Sequence, residues 1–324
     1  MENTTKCRLL YLYRYLIENT DPEHTKSTLE LIIMLQVQYG LSVSRNTISN
    51  DLSTLCACDS RIRVIHSTQN KYYFDGQIFQ TPEIKLLIDA VSSSRFITER
   101  NSKALIEKLV SLTTPNVSAT LKRNIHVQDR VKSENECGYY IIDAISEAIT
   151  TEHMISFLYT DYDINKKLYT ANNGLPYTVS PYDLIWDGDY YYLHGFCCER
   201  QSTRTFRLDR IKRQPQILST SIIPKTKDYD SIKFGKSVFR MYDTEKTSLV
   251  SLLCTTSCMK YIIDHFGTDI KTTPVNDNSF KVQVEVCTSP TFYRWIFGFC
   301  GDIKILGPES TLNEYRNMVK KALE

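Results

Sequence analysis

Residues Ser180–Ile211 read SPYDLIWDGDYYYLHGFCCERQSTRTFRLDRI, and this stretch predicts three consecutive strands. An apolar run ends at Trp186, the residues around Gly188 have the composition of a hairpin turn, and Tyr190–Phe196 is the predicted return strand. A polar connection then leads to a third run, Arg204–Ile211. The stretch therefore predicts a small antiparallel β-meander with a triple tyrosine at its centre.

Basic residues concentrate at the end of this stretch. Between Arg200 and Arg213, six basic side chains accompany one acid, Asp209. Guanidinium groups bind phosphate in a bidentate fork and tyrosine rings stack on bases, so the combination suits an anionic ligand with flat rings. The alternative, a packed tyrosine core with a solvated arginine edge, stays open. The candidate effector-binding residues are Tyr182, Tyr191, His194, Arg204, Arg207 and Arg210.

The relative orientation of these arginines depends on whether the third run stays extended. In an uninterrupted strand, Arg204 and Arg210 share one face and Arg207 takes the other. A turn at Leu208 and Asp209 would instead swing Arg210 back towards Arg207, and Asp209 could also form a structural ion pair with Arg210. The residues alone leave these geometries open.

Two motifs in the stretch resemble the WYL domain of bacterial transcriptional regulators. The first runs from Pro181 to Tyr191-Tyr192-Leu193, where tyrosine replaces the tryptophan that gives the family its name. The second is Thr205–Ile211, TFRLDRI, which matches closely. The resemblance implies a small Sm/SH3-like β-barrel over residues 138–225, used as an effector sensor or a nucleic-acid-binding module.

Residues 1–80 predict three helices followed by a hairpin. Ser27 and Glu30 have the Ser-x-x-Glu spacing of a capping box at the second helix, and Gly40 is placed to end that helix. A third helix begins at Ser44, and two apolar runs after it predict a hairpin. This order is that of a winged helix-turn-helix, whose third helix lies in the major groove of duplex DNA.

The outer face of the third predicted helix carries polar side chains that could reach base edges and phosphates. Residues 1–80 hold eight basic and eight acidic residues, so their charge sum by itself favours no partner. The run Gly40–Leu52 also resembles the helix-turn-helix that precedes WYL domains. A winged helix used only for protein contacts is the alternative. The candidate DNA-binding residues are Arg45, Asn46, Thr47, Ser49, Asn50, Arg63 and Lys71.

Two further regions complete the predicted organisation. Residues 81–137 predict one-faced helices, with an N-cap at Thr81, a break at Thr113-Thr114-Pro115 and a polar loop over 128–137. Their apolar faces could pack within the chain or against a second copy, and the resemblance favours a homodimer, which would suit a palindromic operator. Residues 226–324 predict a strand, a helix, a second strand and a last helix. This order resembles the extension that follows WYL domains, which the resemblance associates with dimer contacts and ligand gating.

The predicted fold class is therefore α+β, in four segments. They are a winged helix-turn-helix DNA-binding domain over residues 1–80, a helical connector and dimerisation region over 81–137, a WYL effector-sensing domain over 138–225, and a C-terminal α+β extension over 226–324. At 324 residues and 42% apolar composition, the chain is long enough for two or three cores.

Composition and spacing argue against several other classes. No apolar run approaches the ~20 residues of a membrane span, and the polar start lacks an export signal, so a cytoplasmic protein with no membrane partner is expected. The ten cysteines and six histidines lack the paired spacing of a zinc site, so no metal and no cofactor is predicted. His194 and Cys197 have opposite parity on one strand, and no nucleophile elbow or phosphate-binding glycine loop occurs. An enzyme is therefore not expected.

The sequence thus predicts a transcriptional regulator of bacterial or phage type. It would bind double-stranded operator DNA through the winged helix and a nucleic-acid or nucleotide effector through the WYL domain. The alternative is a WYL protein that acts as a single-stranded nucleic-acid-binding module or protein-partner adaptor without operator recognition.

Overall fold

The computed structural model describes residues 2–123, 131–225 and 247–324. The chain divides into two compact units, Met1–Lys132 and Ser133–Glu324. Both units combine helices with antiparallel sheets, so the predicted α+β class is confirmed. The predicted loop over 128–137 and the start of the segment predicted from residue 226 lie partly outside the described residues. No helix within those ranges is both long and apolar enough to cross a membrane.

The first unit begins with three helices and a three-stranded antiparallel sheet of order β1-β3-β2. The helices are α1 (Glu2–Asn19), α2 (Thr28–Tyr39) and α3 (Arg45–Cys58), and the strands are β1 (Lys26–Ser27), β2 (Ile62–Ile65) and β3 (Lys71–Phe74). Leu16, Leu35 and Leu52 are fully buried between the helices and the sheet. Three helices followed by the β2–β3 hairpin is the order that the sequence predicts.

Capping residues define where these helices start and stop, as the sequence indicates. The Ser27 hydroxyl accepts the Glu30 N–H at 3.3 Å, and the Glu30 carboxylate accepts the Ser27 N–H at 2.8 Å, which completes the capping box. Gly40 ends α2 at φ 67°, a conformation that strains any residue with a side chain. Ser44 begins α3 by accepting the Thr47 N–H at 3.2 Å.

Three more helices complete the first unit: α4 (Thr81–Ser93), α5 (Glu99–Val110) and α6 (Pro115–Arg123). The N-cap of α4 is Gln80 rather than Thr81, because the Glu83 carboxylate accepts the Gln80 N–H at 2.8 Å. The predicted break at Thr113-Thr114-Pro115 lies between α5 and α6, and Pro115 also opens α6, since proline fits the first turn of a helix. Ile88, Ile106 and Leu121 pack together, so the inward faces of the three helices are covered within the chain.

Polar contacts of Asp21 tie α6 to the first three helices. Its carboxylate accepts the Thr114 hydroxyl at 2.8 Å and the backbone N–H groups of Glu23 and His24 at 3.0 and 2.9 Å. Burial alone would raise the pKa of Asp21, but these hydrogen bonds outweigh it and lower the pKa. The neighbouring Thr20 hydroxyl accepts the N–H of Phe74 on β3 at 3.0 Å.

The second unit opens with α7 (Gly138–Thr150) and a five-stranded antiparallel sheet of order β10-β4-β7-β8-β9. The strands are β4 (His153–Phe157), β7 (Tyr177–Asp187), β8 (Tyr190–Cys197), β9 (Ser202–Arg207) and β10 (Gln216–Ser221). The ring centroids of Phe157 and Phe206 lie 5.3 Å apart, although two strands separate β4 from β9. Three strand spacings in a flat sheet would be about 14 Å, so the sheet curls strongly, as a small barrel does. A two-stranded ribbon, β5 (Thr160–Tyr162) and β6 (Leu168–Thr170), lies between β4 and β7 in the chain.

Residues 247–324 form a four-stranded antiparallel sheet of order β12-β13-β11-β14, which packs its apolar face against helices. Its elements in chain order are β11 (Thr247–Thr255), α8 (Met259–Phe266), β12 (Thr272–Asn276), β13 (Ser279–Cys287), α9 (Pro290–Phe297), β14 (Ile303–Gly307) and α10 (Glu309–Lys321). The first six give the βαββαβ order of ferredoxin-like domains. Sequence reasoning anticipated β13, α9, β14 and α10, but not β11, α8 or β12.

Candidate nucleic-acid interfaces

Helix α3 presents a polar surface opposite its core contacts. Its inward residues, Ile48, Leu52 and Leu55, lie in the core of the unit. Arg45, Asn46 and Asn50 are exposed. Thr47 and Ser49 are half-buried, and the Thr47 hydroxyl lies 2.8 Å from that of Ser44 at the helix start. Three of the five predicted DNA-binding residues of this helix therefore face solvent fully.

An ion pair fixes α3 against α1. Arg8 Nη2 donates to the Asp51 carboxylate at 3.1 Å, and a second hydrogen bond from Arg8 Nε makes the pair bidentate. Asp51 is buried and projects from the inner side of α3. Because both partners are largely shielded from water, the pair holds the exposed face of α3 in one orientation.

The β2–β3 hairpin carries the two remaining predicted DNA-binding residues. Arg63 is exposed and its guanidinium lies 3.8 Å from the Asp75 carboxylate, a loose contact that leaves it available. Lys71 is exposed and forms no ion pair within the described ranges. Arg61, by contrast, donates two hydrogen bonds to Asp59 and thereby holds the pKa of that carboxyl well below its usual range.

Strand alternation separates the candidate effector-binding residues onto two faces of the curled sheet. Arg204 lies opposite Gly195 and Phe206 opposite Leu193, so Arg204 shares a face with the buried Phe206 and with Tyr191. Arg207 lies opposite Tyr192 and faces the other way, together with His194. Tyr191 and Arg204 are therefore on a different face from His194 and Arg207.

Arg207 is already bound by neighbouring side chains. Its Nε and Nη2 donate to the two Asp209 oxygens at 3.1 and 2.7 Å, and its guanidinium carbon lies 3.4 Å from the centre of the Tyr190 ring. Burial lowers the pKa of Arg207, but the Asp209 ion pair raises it by more, so the side chain stays charged. A ligand phosphate would have to compete with Asp209 for this arginine.

The third run bends after Arg207. Leu208–Arg210 form one turn of 3-10 helix, and Arg210 Nη1 lies 3.5 Å from Asp161 on β5. Asp209 therefore pairs with Arg207, and Arg210 pairs with a residue 49 positions earlier rather than with its neighbour. The Asn135 amide donates to the carbonyls of Asp209 and Ile211 at 3.1 and 2.7 Å, which holds the turn in place.

Tyr182 and His194 lie together beneath the segment that follows β10. Their ring centroids are 6.2 Å apart, and the Tyr182 hydroxyl donates to the Ile223 carbonyl at 3.0 Å. His194 is only 1% exposed, and burial lowers its pKa to about 4. The histidine is therefore neutral at pH 7 and adds no charge for an anionic ligand. Lys225 covers the same corner, with its ammonium 3.3 Å from the Asp183 carboxylate.

Comparison with known protein families agrees with this architecture. The WYL domain model matches residues 140–215, and the WCX domain model matches residues 247–323. The chain therefore contains a WYL domain followed by a WCX domain. The first range covers α7 and the curled sheet except β10, and the second covers the ferredoxin-like fold that follows.

Individual relatives carry related descriptions. The uncharacterized HTH-type transcriptional regulator YobV of Bacillus subtilis is 25% identical over 166 residues, which is 51% of this chain and 49% of that protein. The match thus spans about half the length of this curated relative. Among solved structures, proteasome accessory factor B/C (PafBC) of Arthrobacter aurescens is 17% identical, over 99% of this chain and 48% of that one, with a TM-score of 0.29. A CRISPR Cas-related protein is 12% identical over 90% and 76%, with a TM-score of 0.38. Both TM-scores are too low for a residue-by-residue correspondence.

Two residues that contact candidate effector-binding residues in the WYL domain were not predicted from the sequence. Trp186 is 45% exposed and lies directly opposite Tyr191, with ring centroids 5.0 Å apart. Counting outward from the turn at Gly188 would have found this pair, because hairpin register pairs residues symmetrically about the turn. Tyr190, which stacks on Arg207, lacked such a signal because side-chain direction at the strand end depends on the curl of the sheet.

The WYL domain therefore brings some predicted residues together and separates others. Tyr182 and His194 are adjacent and buried, and Arg207 lies on their side of β8 in its pair with Asp209. Tyr191 and Arg204 share the other face with Trp186, and Arg210 lies beyond the bend. No group of three or more metal-ligating side chains occurs among the described residues, and none of the ten cysteines is in a disulfide bond.

Proposed function

We propose that this chain is a DNA-binding transcriptional regulator that acts as a homodimer in the cytoplasm, without catalysis of its own. Its first unit binds duplex operator DNA through α3, and its WYL domain senses a nucleic-acid or nucleotide effector. The observation that carries the proposal is the exposure of Arg45, Asn46 and Asn50 on α3, while Ile48, Leu52 and Leu55 of the same helix are packed in the core. The name of the relative YobV supports it as well.

The chemistry of the α3 face suits base edges. An asparagine amide can pair with adenine N6 and N7, and an arginine with guanine O6 and N7 or with phosphate. Ser44 begins α3 at the same end as Arg45, so backbone N–H groups add to the positive potential there. In this proposal Arg63 and Lys71 contact phosphates from the hairpin and position the helix without reading sequence.

The effector proposal rests on Arg204 and the Trp186–Tyr191 pair. Arg204 is exposed and forms no ion pair within the described ranges, so its guanidinium is available to a phosphate. The exposed indole of Trp186 lies on the same face and offers a surface on which a base can stack. Arg207 supports the sheet through Asp209 and Tyr190, and its role in binding is secondary.

A binding titration tests the proposal. Fluorescence anisotropy of the purified protein on its own upstream region should give saturable, salt-dependent binding that changes when a single-stranded oligonucleotide is added. Arg45→Ala and Asn50→Ala should each weaken that binding by about 1–3 kcal/mol. Arg14→Ala is the matched control, because Arg14 is exposed on α1 and pairs with Glu18 on the same helix.

Two outcomes would contradict the proposal at different points. If folded Arg45→Ala and Asn50→Ala variants bind the upstream region as tightly as the parent protein, α3 does not recognise the operator sequence. Binding of single strands without any binding of duplex would instead favour a single-stranded nucleic-acid-binding module.

A further inference from the structure

The ribbon formed by β5 and β6, Thr160–Thr170, exposes large apolar side chains that nothing in the described chain covers. Ile164 at its tip is 98% exposed, and Tyr162, Leu168 and Tyr169 are 57%, 59% and 50% exposed. Tyr162 lies directly opposite Leu168, so these two share one face of the ribbon. Isolated exposed apolar residues are ordinary, but Tyr162 and Leu168 on one face, with Ile164 at the tip, concentrate apolar surface of the kind that binds a partner. Tyr169 lies opposite Asp161 and faces the other way.

The tip of the ribbon is held rigid by its own carboxylate. Asp163 Oδ1 accepts the N–H groups of Asn165 and Lys167 at 2.9 and 2.8 Å, and Asp163 N–H donates to the Lys167 carbonyl at 2.9 Å. Ile164 is therefore displayed on a preformed turn, so binding would order few additional groups.

The tip of the ribbon carries an excess of positive charge, with Lys166 and Lys167 against the single carboxylate of Asp163. The Asp163 carboxylate accepts backbone N–H groups of the turn, and the Asp161 carboxylate lies 3.5 Å from Arg210. Lys166 and Lys167 are both exposed and form no ion pair within the described ranges. The ribbon thus offers an apolar patch beside two unpaired positive charges, and its complement is an apolar patch beside negative charges.

The outer face of α7 has that complementary character. Tyr140 is 64% exposed, and Asp143 and Glu147 follow it at three- and four-residue spacing on the same side of the helix. Both carboxylates are exposed and lack an ion-pair partner in the part of the chain that the structure describes. Tyr139, 46% exposed, widens the aromatic area.

The ribbon and α7 are attached to one turn of the same unit. The Thr160 hydroxyl donates to the Arg210 carbonyl at 2.9 Å at the base of the ribbon. Asn135, which donates to the Asp209 and Ile211 carbonyls, also accepts the N–H of Cys137 at 3.0 Å where α7 begins. One protomer therefore presents both surfaces at a fixed separation, which a two-fold interface with two reciprocal contacts requires.

We infer that the ribbon of one protomer docks on the outer face of α7 in a second copy of this chain. The two-fold axis repeats the contact, with Ile164 and Leu168 against Tyr139 and Tyr140, and Lys166 and Lys167 near Asp143 and Glu147. The inference rests on the proposed homodimer and names its interface. Four large apolar side chains against two lysines favour a protein surface over DNA, because protein–DNA interfaces are more polar and more positively charged.

A charge exchange tests this interface in the full-length protein. Sedimentation equilibrium of the parent chain should give twice the 37.6 kDa chain mass. Lys166→Glu with Lys167→Glu, and separately Asp143→Lys with Glu147→Lys, bring like charges together and should each raise the dimer dissociation constant at least about tenfold. The four substitutions combined should restore the parent value to within a few fold. Lys320→Glu with Lys321→Glu at the end of α10 is the matched control and should leave the constant unchanged.

Each other result overturns the inference, and the results are distinguishable. A parent chain at the monomer mass removes the homodimer as well as the interface. Dimers unaffected by either charge reversal leave the homodimer standing and place its interface elsewhere. Dissociation without rescue in the four-fold variant shows that the ribbon does not meet α7. Lost DNA affinity at unchanged mass in the lysine variant assigns the ribbon to DNA. Circular dichroism of every variant establishes that it is folded.

Discussion

Arg204 and Arg207 stand three positions apart on one strand, yet they differ in what binds them. Arg204 points to solvent from the face that carries Tyr191 and forms no ion pair in the described ranges. Arg207 lies against Tyr190 and donates twice to Asp209, whose side chain is only 11% exposed. The first arginine is available to a ligand, and the second maintains the fold.

This difference predicts unequal effects of the same substitution on stability. Arg207→Ala leaves the Asp209 carboxylate buried without its partner and should lower the free energy of unfolding by about 2–4 kcal/mol. Arg204→Ala should change it by no more than about 0.5 kcal/mol. Urea unfolding followed by circular dichroism measures both. Equal stabilities in the two variants would show that the Asp209 pair contributes nothing net.

The sequence shows which arginines and tyrosines the WYL domain contains, but it does not indicate which side chains contact them. The ion pair between Arg210 and Asp161 joins residues on separate elements and forms only because the chain turns back after Leu208. That bend was one of two geometries compatible with the residues. Burial of His194 likewise depends on Ile223–Lys225 crossing over it, and no local pattern encodes that crossing.

Strand β8 is covered on both sides at its centre, which makes one glycine essential to the β7–β8 pairing. A Cβ atom at Gly195 would lie 2.3 Å from the Ser180 carbonyl oxygen and 2.9 Å from Val179 Cγ1. The pairing register also shifts between Pro181 and Asp183, so the backbones are irregular at this point.

Gly195→Ala should therefore weaken the hairpin that carries the WYL motif. We expect a loss of about 1–3 kcal/mol, because the new methyl group meets backbone that cannot move without breaking strand hydrogen bonds. Gly307→Ala is the control, since a Cβ there meets nothing within 4 Å. Thermal unfolding of the two variants checks the prediction, and an unshifted midpoint for Gly195→Ala would contradict it.

At the level of elements, the sequence was most informative where a local hydrogen bond caps the start or the end of a helix. The capping box at Ser27 and the glycine at residue 40 were predicted correctly for this reason. It was least informative where two readings of one residue compete, as at Pro115, which starts α6. Strand β11 was missed because Leu249 and Leu253 place apolar residues on its outer face, so the strand lacks simple alternation.

The whole chain is divided into units that each have a core of their own. Residues 1–132 contain the α1–α3 core and the α4–α6 core, and Asp21 joins the two through Thr114. Lys132 closes the unit by donating to the Ser94 carbonyl at 2.7 Å and to the Ser102 hydroxyl at 3.0 Å. A unit of this size ordinarily buries enough surface to fold alone.

A fragment of residues 1–132 should therefore fold cooperatively and bind the operator region without responding to a single-stranded oligonucleotide. Circular dichroism with thermal melting tests folding, and anisotropy with and without the oligonucleotide tests the response. A fragment that is unfolded, or one that still responds to the oligonucleotide, would contradict this division of roles.

Asn135 adds a mechanical property to this division. Asn135 lies three residues after the end of the first unit, and its side-chain amide donates to the carbonyl groups of Asp209 and Ile211 at the 3-10 turn. Tension along the backbone from residue 132 thus reaches the arginine-bearing turn through two hydrogen bonds before it reaches α7. A force applied to the backbone at residue 132 would be divided between these hydrogen bonds and the covalent chain into α7, and the side chain at position 135 sets that division.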